Sequence, residues 1–235
     1  SPGRFAREYL IQWDALDGQK VFPEIIEYRS KIVIPCDSVT FNEGHNKYFG
    51  AYDHGMRSPS AFIVFTQDES YNMYAIWEMY EPCTNMLEFT TKMKACPYWN
   101  KLKYIVADPA LWDKRGYNPD GLPVSPYEMF TQYGIRNFVK GAHHTEPAWL
   151  LLMKGYWGNK DDIQFKIFEN CQCLIEEFEG AKFANMTEIM ATTRNPSEKM
   201  VDKNNHAMDA TRYFMTHFRK QQQPTLKSMQ WKYKW

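Results

Sequence analysis

Three short apolar segments follow one another along this chain, at residues 48–53, 61–66 and 72–78, with only short polar connections between them. Each segment is shorter than an ordinary helix, and aromatic and β-branched residues dominate it. Strands joined by connections of this length pair as an antiparallel meander. The rest of the chain must therefore pack against the sheet that this meander begins.

After the meander, strands alternate with helices. A helix is predicted at 84–96, where Pro97 ends it, and a fourth strand at 103–107. Ser125 and Pro126 mark the start of a second helix, which Gly134 ends. The remaining predicted elements are strands at 135–139 and 163–167 and helices at 145–153, 171–180 (with Asn170 as its cap) and 206–220. This order predicts an α/β domain with a mixed β-sheet flanked by α-helices.

Several classes of function are excluded by what the chain lacks. It contains no GxxxxGK[ST] phosphate-binding loop, so it should not hydrolyse ATP by itself. No apolar run approaches the 18 residues of a membrane span, which predicts no membrane contact. The five cysteines form no CxxC pair and indicate a reducing cytoplasm rather than a disulfide framework. Together with His143 and His144, they also lack the spacing of a zinc site.

Three aspartates lie at the ends of predicted elements: Asp53, Asp108 and Asp209. If the first and fourth strands are neighbours, two of these side chains face one cleft and Asp209 joins them from the last helix. Gathered carboxylates repel one another unless a cation lies between them. Oxygen ligands of this kind suit Mg²⁺ or Mn²⁺, and two such ions can support phosphodiester hydrolysis. The pattern therefore predicts a metal-dependent nuclease site.

Each of these residues alone has a simpler interpretation. An aspartate at the end of a strand more often forms a turn or caps a helix than binds a metal. His206 lies three residues before Asp209 and shares its helix face, as a further ligand or as a packed histidine. Asp202 precedes His206 by four residues and is either another ligand or the helix cap. Only the combination supports a metal site.

Three stretches of the chain resemble the C-terminal nuclease domain of large terminase subunits from tailed bacteriophages. Residues 51–61 are similar to the family's G-x-D-x-G…P-T-A signature, with Ala51 and Ser60 where the family has Gly and Thr. Residues 104–109 form the second stretch. Residues 202–213 are close to D-x-x-N-H-x-x-D-A-x-R-Y and are the most specific of the three. Residues 13–24 look like the linker that joins the family's ATPase and nuclease domains.

The resemblance implies an RNase H-like, integrase-type fold and an endonuclease that cuts concatemeric double-stranded viral DNA during genome packaging. Two Mg²⁺ or Mn²⁺ ions would be held by Asp53, Asp108 and Asp209, with His206 either as an auxiliary ligand or as a group that supports one of the ligands. The implied organisation is a linker from an ATPase domain at 1–45, the nuclease at 46–220 and a basic tail at 221–235. The implied partners are DNA, that ATPase domain, the small terminase subunit and the portal or procapsid, in the cytoplasm of the infected host cell.

The formal net charge of zero does not by itself predict a polyanionic partner, so any DNA contact depends on where the basic residues lie. Those that flank the first two motifs are candidate phosphate contacts, with ordinary solvated charges as the simpler interpretation: Arg57, Lys101, Lys103, Lys114 and Arg115. The tail at 221–235 is either a solvated end or a contact to a polyanion or an acidic partner.

Two other interpretations of the chain stay open. The first is a different RNase H-like nuclease, such as a Holliday-junction resolvase or a transposase-type recombinase, in which the same acidic chemistry acts on another substrate. The second is a non-catalytic adaptor whose basic tail docks on a capsid or motor component. Preference for four-way junctions would favour the first, and failure to bind Mn²⁺ would favour the second.

Overall fold

A mixed β-sheet forms the centre of the computed structural model, which describes residues 20–42, 46–56, 58–117, 120–143, 145–184 and 200–222. Seven strands make up this sheet, in the order β1-β9-β4-β3-β2-β5-β8. Their bounds are β1 Val33–Ile34, β2 Lys47–Asp53, β3 Ser60–Gln67, β4 Met73–Glu81, β5 Leu102–Ala107, β8 Phe138–Lys140 and β9 Phe165–Phe168. Strands β6 (Gly116–Tyr117) and β7 (Pro123–Val124) pair separately as a small hairpin.

The pairing of the strands confirms the mixed sheet. Strands β2, β3 and β4 form the predicted antiparallel meander. On one side of it, β5 runs parallel to β2 and β8 runs parallel to β5. On the other side, β9 runs parallel to β4 and β1 runs parallel to β9. The carboxyl ends of β2, β5 and β8 therefore lie at one edge of the sheet.

Helices cover both faces of this sheet. Their bounds are α1 Glu24–Glu27, α2 Arg29–Ile32, α3 Met86–Lys94, α4 Pro126–Gln132, α5 Glu146–Trp157, α6 Gln172–Gly180 and α7 His206–Gln222. Side chains of β2 alternate between the two faces, as a strand requires. Phe49 and Ala51 pack in the core with α5, α6 and α7. Tyr48 and Tyr52 pack on the opposite face with α3 and α4.

The elements that the sequence predicts are present, with shifts at their ends. The Ser125 side chain accepts from the Glu128 N–H at 3.2 Å and the Glu128 carboxylate accepts from the Ser125 N–H at 2.7 Å, which confirms the helix start. The predicted cap of α6 is wrong, because the Asn170 amide donates instead to the carbonyl of Ile76 at 3.2 Å. The carboxylate of Glu78, on β4, accepts the N–H groups at the start of α6.

The segment before residue 45, predicted as an arm, contributes to the core where it is described. Val21, Phe22, Ile25 and Ile32 are buried against α5 and α6. Strand β1 also extends the sheet by pairing with β9. The domain boundary at residue 45 and the link to an ATPase domain stay predictions. The basic tail falls almost entirely on residues 223–235, outside the described residues.

All five cysteines are free thiols, and Cys36 is exposed. Within the described ranges, no helix combines the length and apolar character that crossing a bilayer requires.

Candidate active site

Asp53 and Asp108 lie side by side at the ends of the neighbouring strands β2 and β5. Tyr52 and Ala107 are register partners in the parallel pair β2–β5, and each is followed directly by one of the two aspartates. The backbone N–H of Asp108 donates to the carbonyl of Tyr52 at 2.9 Å, which extends the ladder by one bond. The strand order therefore places the first two motifs together, as the sequence predicts.

The loop after Asp53 is held in shape by Ser60, the residue at the start of β3. Its hydroxyl accepts from the N–H of Gly55 at 2.9 Å and donates to the carbonyl of Gly55 at 2.8 Å. Gly55 lies so close to the carbonyl oxygens of Ser58 and Pro59 that a Cβ atom there would clash with both. Gly55 and Ser60 of the first motif thus set the backbone shape of this loop.

The third element of the site is α7, whose first residue, His206, lies against Asp53. The Nδ1 atom of His206 is 3.0 Å from Oδ2 of Asp53. Both side chains are largely buried, with exposed fractions of 24% and 11%. Asp209, one turn along α7, lies close enough to Asp53 for the charge of Asp53 to raise its pKa. Three elements distant in sequence thus bring these residues together.

Asp209 is bound to neighbouring side chains through both of its oxygens. Its Oδ1 accepts from Nε of Arg212 at 3.0 Å, and its Oδ2 accepts from the amide of Asn205 at 3.2 Å. The guanidinium of Arg212 also donates to the hydroxyl of Thr145 at 3.1 Å. Exposed Asp202 joins this group, since the Asn205 amide donates to it at 3.2 Å. A cavity of about 600 Å³ opens beside these residues.

Burial disfavours the ionised forms of Asp53 and Asp209. Desolvation raises the pKa of Asp209 to about 6, against the opposing charge of Arg212. Burial also raises the pKa of Asp53, and the nearby charge of Asp108 adds to this effect. The hydrogen bond to Asp53 raises the pKa of His206. A bound cation would offset the clustered negative charge.

His54 differs from His206 although it is the residue next to Asp53. Its Nδ1 is 2.8 Å from the hydroxyl of Tyr52, and burial lowers its pKa to about 4. The imidazole is therefore neutral at neutral pH. It lies close enough to Asp108 and Arg115 for their charges to shift its pKa in opposite directions.

The spacing of the donor atoms differs from what a bound divalent ion requires. In the part of the chain that is described, no three His, Cys, Asp or Glu side chains are spaced to hold an ion directly. The reason lies in their present partners: Asp53 bonds His206, Asp108 accepts the N–H of Ala110 and Asp209 bonds Arg212. The donors are nevertheless carboxylate oxygens in a partly buried cleft, which is the chemistry that Mg²⁺ and Mn²⁺ select. The residues fit such an ion provided that Asp209 exchanges one of its present partners for it.

Comparisons with known proteins bear on the fold. No protein-family model matches the chain, and no curated protein matches it in sequence. Solved structures do match. The large terminase of one thermophilic bacteriophage aligns with a TM-score of 0.62 and 15% identity, over 87% of this chain and 45% of that one. The P22 large terminase nuclease domain aligns with a TM-score of 0.58 and 17% identity, over 87% and 94%.

The large terminase nuclease of another thermophilic phage, G20c, aligns with a TM-score of 0.53 and 14% identity, over 83% of this chain and 97% of that one. A magnesium-bound form of the G20c nuclease aligns with a TM-score of 0.51 and 13% identity. The fold is RNase H-like, that of the large-terminase nuclease domains. This chain spans 45% of the first of these large terminases, and nearly all of the isolated nuclease domains.

Two of the basic residues predicted to contact DNA lie at the opposite end of the sheet from Asp53 and Asp108. Lys101 directly precedes β5 and Lys103 is its second residue, whereas Asp108 follows its end. The Nζ atom of Lys101 lies over the ring of Tyr48, at the start of β2. At about 3.3 Å per residue, Lys103 is roughly 16 Å along the strand from Asp108. The expectation that these two lysines lie beside the acidic residues is therefore corrected, because β5 separates them.

Lys114 and Arg115, also predicted to contact DNA, lie at the same end of the sheet as Asp108. Lys114 and Arg115 follow the short helix Pro109–Trp112 that Asp108 begins. Arg115 is close enough to His54 to lower its pKa, although its guanidinium also bonds the carboxylate of Asp113 at 2.8 Å. Arg57 lies outside the described residues.

Three residues near the acidic groups were given no role at the site from the sequence: Lys140, Arg212 and Glu177. Lys140 is the register partner of Ala107 and so lies beside Asp108 at the same sheet edge. The strand predicted at 135–139 could have pointed to Lys140, because β8 ends one residue later than predicted, at Lys140. Arg212 is visible as the residue three after Asp209 on one helix face. No local pattern marks Glu177, whose partners lie on other elements.

Proposed function

We propose that this chain is an endonuclease that hydrolyses phosphodiester bonds of double-stranded viral DNA and depends on divalent metal ions. The observation that supports it best is the convergence of Asp53, Asp108 and Asp209 at one edge of the sheet. The fold adds support, since the P22 and G20c proteins that share it are named as nuclease domains.

Asp53, Asp108 and Asp209 would hold two Mg²⁺ or Mn²⁺ ions, with His206 and Asp202 as further candidate ligands. When bound, such ions activate a water molecule and stabilise the departing oxygen of the phosphodiester. The magnesium-bound G20c nuclease is consistent with this proposal. The present bonds of Asp209 to Arg212 and Asn205 imply that ion binding rearranges these side chains.

The chain's own residues have three tasks in this proposal. His206 holds the carboxylate of Asp53 in place through its 3.0 Å bond. Arg212 pairs with the buried charge of Asp209 through an ion pair at 3.0 Å. Lys114, Arg115 and Lys140 would contact DNA phosphates at the edge of the cleft, because sequence-independent affinity comes largely from neutralising phosphate charge.

The setting of this activity is proposed from the resemblance. A nuclease of this fold would cut concatemeric DNA in the cytoplasm of the infected host cell. It would work with an ATPase domain, the small terminase subunit and the portal or procapsid. This near-neutral chain offers few phosphate contacts at the cleft, so those partners would keep it on DNA.

A cleavage assay tests the proposal. Supercoiled plasmid is incubated with the chain and Mn²⁺ or Mg²⁺, with and without chelator, and a parallel reaction offers a four-way junction and a linear duplex of equal length. We expect metal-dependent cutting of plasmid and duplex. Cutting of the junction alone would favour a resolvase instead. An absence of both cutting and Mn²⁺ binding would favour a non-catalytic adaptor.

A further inference from the structure

The first turn of α7 depends on a carboxylate that belongs to α6. The N–H of Met208 is the third of this helix and has no partner within it, as is true of the first N–H groups of any helix. It donates to Oε2 of Glu177 at 2.8 Å. Glu177 is buried, with an exposed fraction of 8%. A negative charge at this end of a helix is stabilising.

The residue that would ordinarily supply this cap is occupied elsewhere. Asn205 stands immediately before α7, in the position from which an asparagine side chain usually accepts N–H groups of the first turn. Its amide instead contacts Asp209 and Asp202, each at 3.2 Å. The N–H of Met208 is thus capped by Glu177, while the amide nitrogen of Asn205 donates to the acidic group.

Glu177 is itself held from β4. Its second oxygen, Oε1, accepts from the hydroxyl of Tyr80 at 2.7 Å. The start of α6 is capped from the same strand, because the carboxylate of Glu78 accepts from the N–H of Cys173 at 2.8 Å and of Leu174 at 3.1 Å. Strand β4 thus holds α6, and α6 holds the start of α7, through two carboxylate caps.

We propose that Glu177 is a positioning residue of the site, which holds His206 and Asp209 where they face Asp53. The proposal rests on the nuclease function proposed above. Loss of the Glu177 carboxylate frees the first turn of α7, and the His206–Asp53 bond at 3.0 Å then lacks its support on the helix side. Glu177 acts through α7, because its oxygens are taken up by Met208 and Tyr80.

The test compares Glu177→Gln with Glu176→Gln, the exposed neighbour on the same helix. Glutamine keeps the size of the side chain but accepts through one oxygen instead of two. In chelator, we expect the Met208 amide of Glu177→Gln to exchange its hydrogen about two to five times faster, with β3 amides unchanged, because the neutral amide oxygen of glutamine accepts a helix N–H more weakly than a carboxylate does. Calorimetry should show Mn²⁺ affinity about 10-fold or more weaker. Glu176→Gln should match the wild-type protein in both measurements.

A second variant covers the case in which Glu177→Gln does not fold. Tyr80→Phe removes one support of the Glu177 carboxylate, and we expect smaller changes in the same direction. Unchanged Met208 exchange and Mn²⁺ affinity in either variant, or an equal loss in Glu176→Gln, would overturn the positioning role. If the wild-type protein binds no Mn²⁺, the proposed function fails, while hydrogen exchange without metal still decides the role of Glu177.

Discussion

The Nδ1 atom of His206 lies 3.0 Å from Oδ2 of Asp53 and joins the first turn of α7 to the end of β2. The two residues are 153 positions apart in the chain. This bond connects the third sequence motif to the first, and Asp209 lies one turn along the same helix. The site is therefore assembled by the docking of α7 on the sheet, and the residues that control this docking should control the chemistry.

Substitution of His206 tests whether this bond matters to metal binding. We expect His206→Ala to weaken Mn²⁺ binding about 10- to 100-fold, as is typical when a group that orients a ligand is lost. Titration calorimetry measures the affinity. The control is His217→Ala, a histidine on the same helix whose ring packs against Tyr104. Equal affinities of His206→Ala and the wild-type protein would indicate that His206 is a packed histidine with no part in metal binding.

Arg212 is expected to stabilise the metal-free protein. Its side chain is only 8% exposed and that of Asp209 19%, so the variant Arg212→Ala leaves a mostly buried carboxylate without its partner. Removal of one member of such a pair costs about 3 kcal/mol of unfolding free energy. Urea unfolding in chelator measures the loss. The double variant Arg212→Ala/Asp209→Asn should recover part of the stability, and a single variant as stable as wild type would contradict the account.

The stabilisation that Mg²⁺ provides should increase with pH. Burial raises the pKa of Asp209 to about 6 and that of Glu177 to about 7, so the folded protein retains protons that the unfolded chain has released. These two groups therefore make the metal-free protein less stable as pH rises from about 4 through 7. Mg²⁺ binds the ionised carboxylate of Asp209 and offsets its share of this loss. We expect the difference in Tm between Mg²⁺ and chelator to be small at pH 5 and larger at pH 8. A difference that shrinks with pH would contradict this.

The effect of substituting a basic residue on DNA binding should depend on the end of the sheet at which that residue lies. We expect Arg115→Ala and Lys140→Ala to weaken duplex binding and to lower the salt slope by about one each, as for the loss of one phosphate contact. Lys101→Ala and Lys103→Ala serve as matched controls, because β5 separates both lysines from Asp108. Binding across a salt series is the measurement. A larger effect at Lys101 or Lys103 would place the DNA at the other end of the sheet.

Local patterns were sufficient to predict the meander, the crossover elements and the grouping of the three aspartates. Alternation and turn residues mark strands, and parallel strands bring their carboxyl ends together. Contacts between distant elements could not be predicted in this way. The caps supplied by Glu78 and Glu177 come from other elements, so Asn170 was the natural but wrong candidate for α6. Lys101 and Lys103 precede Asp108 closely in sequence, yet an extended strand carries them away from it.

Asp53, Asp108 and Asp209 are proposed to form one metal-dependent site that cuts DNA. Asp108→Asn tests it most directly, since Asn keeps the size of the side chain and an oxygen for the N–H of Ala110. Asp162→Asn, at an exposed aspartate, is the matched control. In Mn²⁺, the wild-type protein and Asp162→Asn should convert supercoiled plasmid to nicked and linear forms, whereas Asp108→Asn should leave it supercoiled. In chelator, the Tm of Asp108→Asn should be at least as high as that of the wild-type protein, because the charge of Asp108 no longer repels that of Asp53. Plasmid cutting by Asp108→Asn at the wild-type rate would contradict the account.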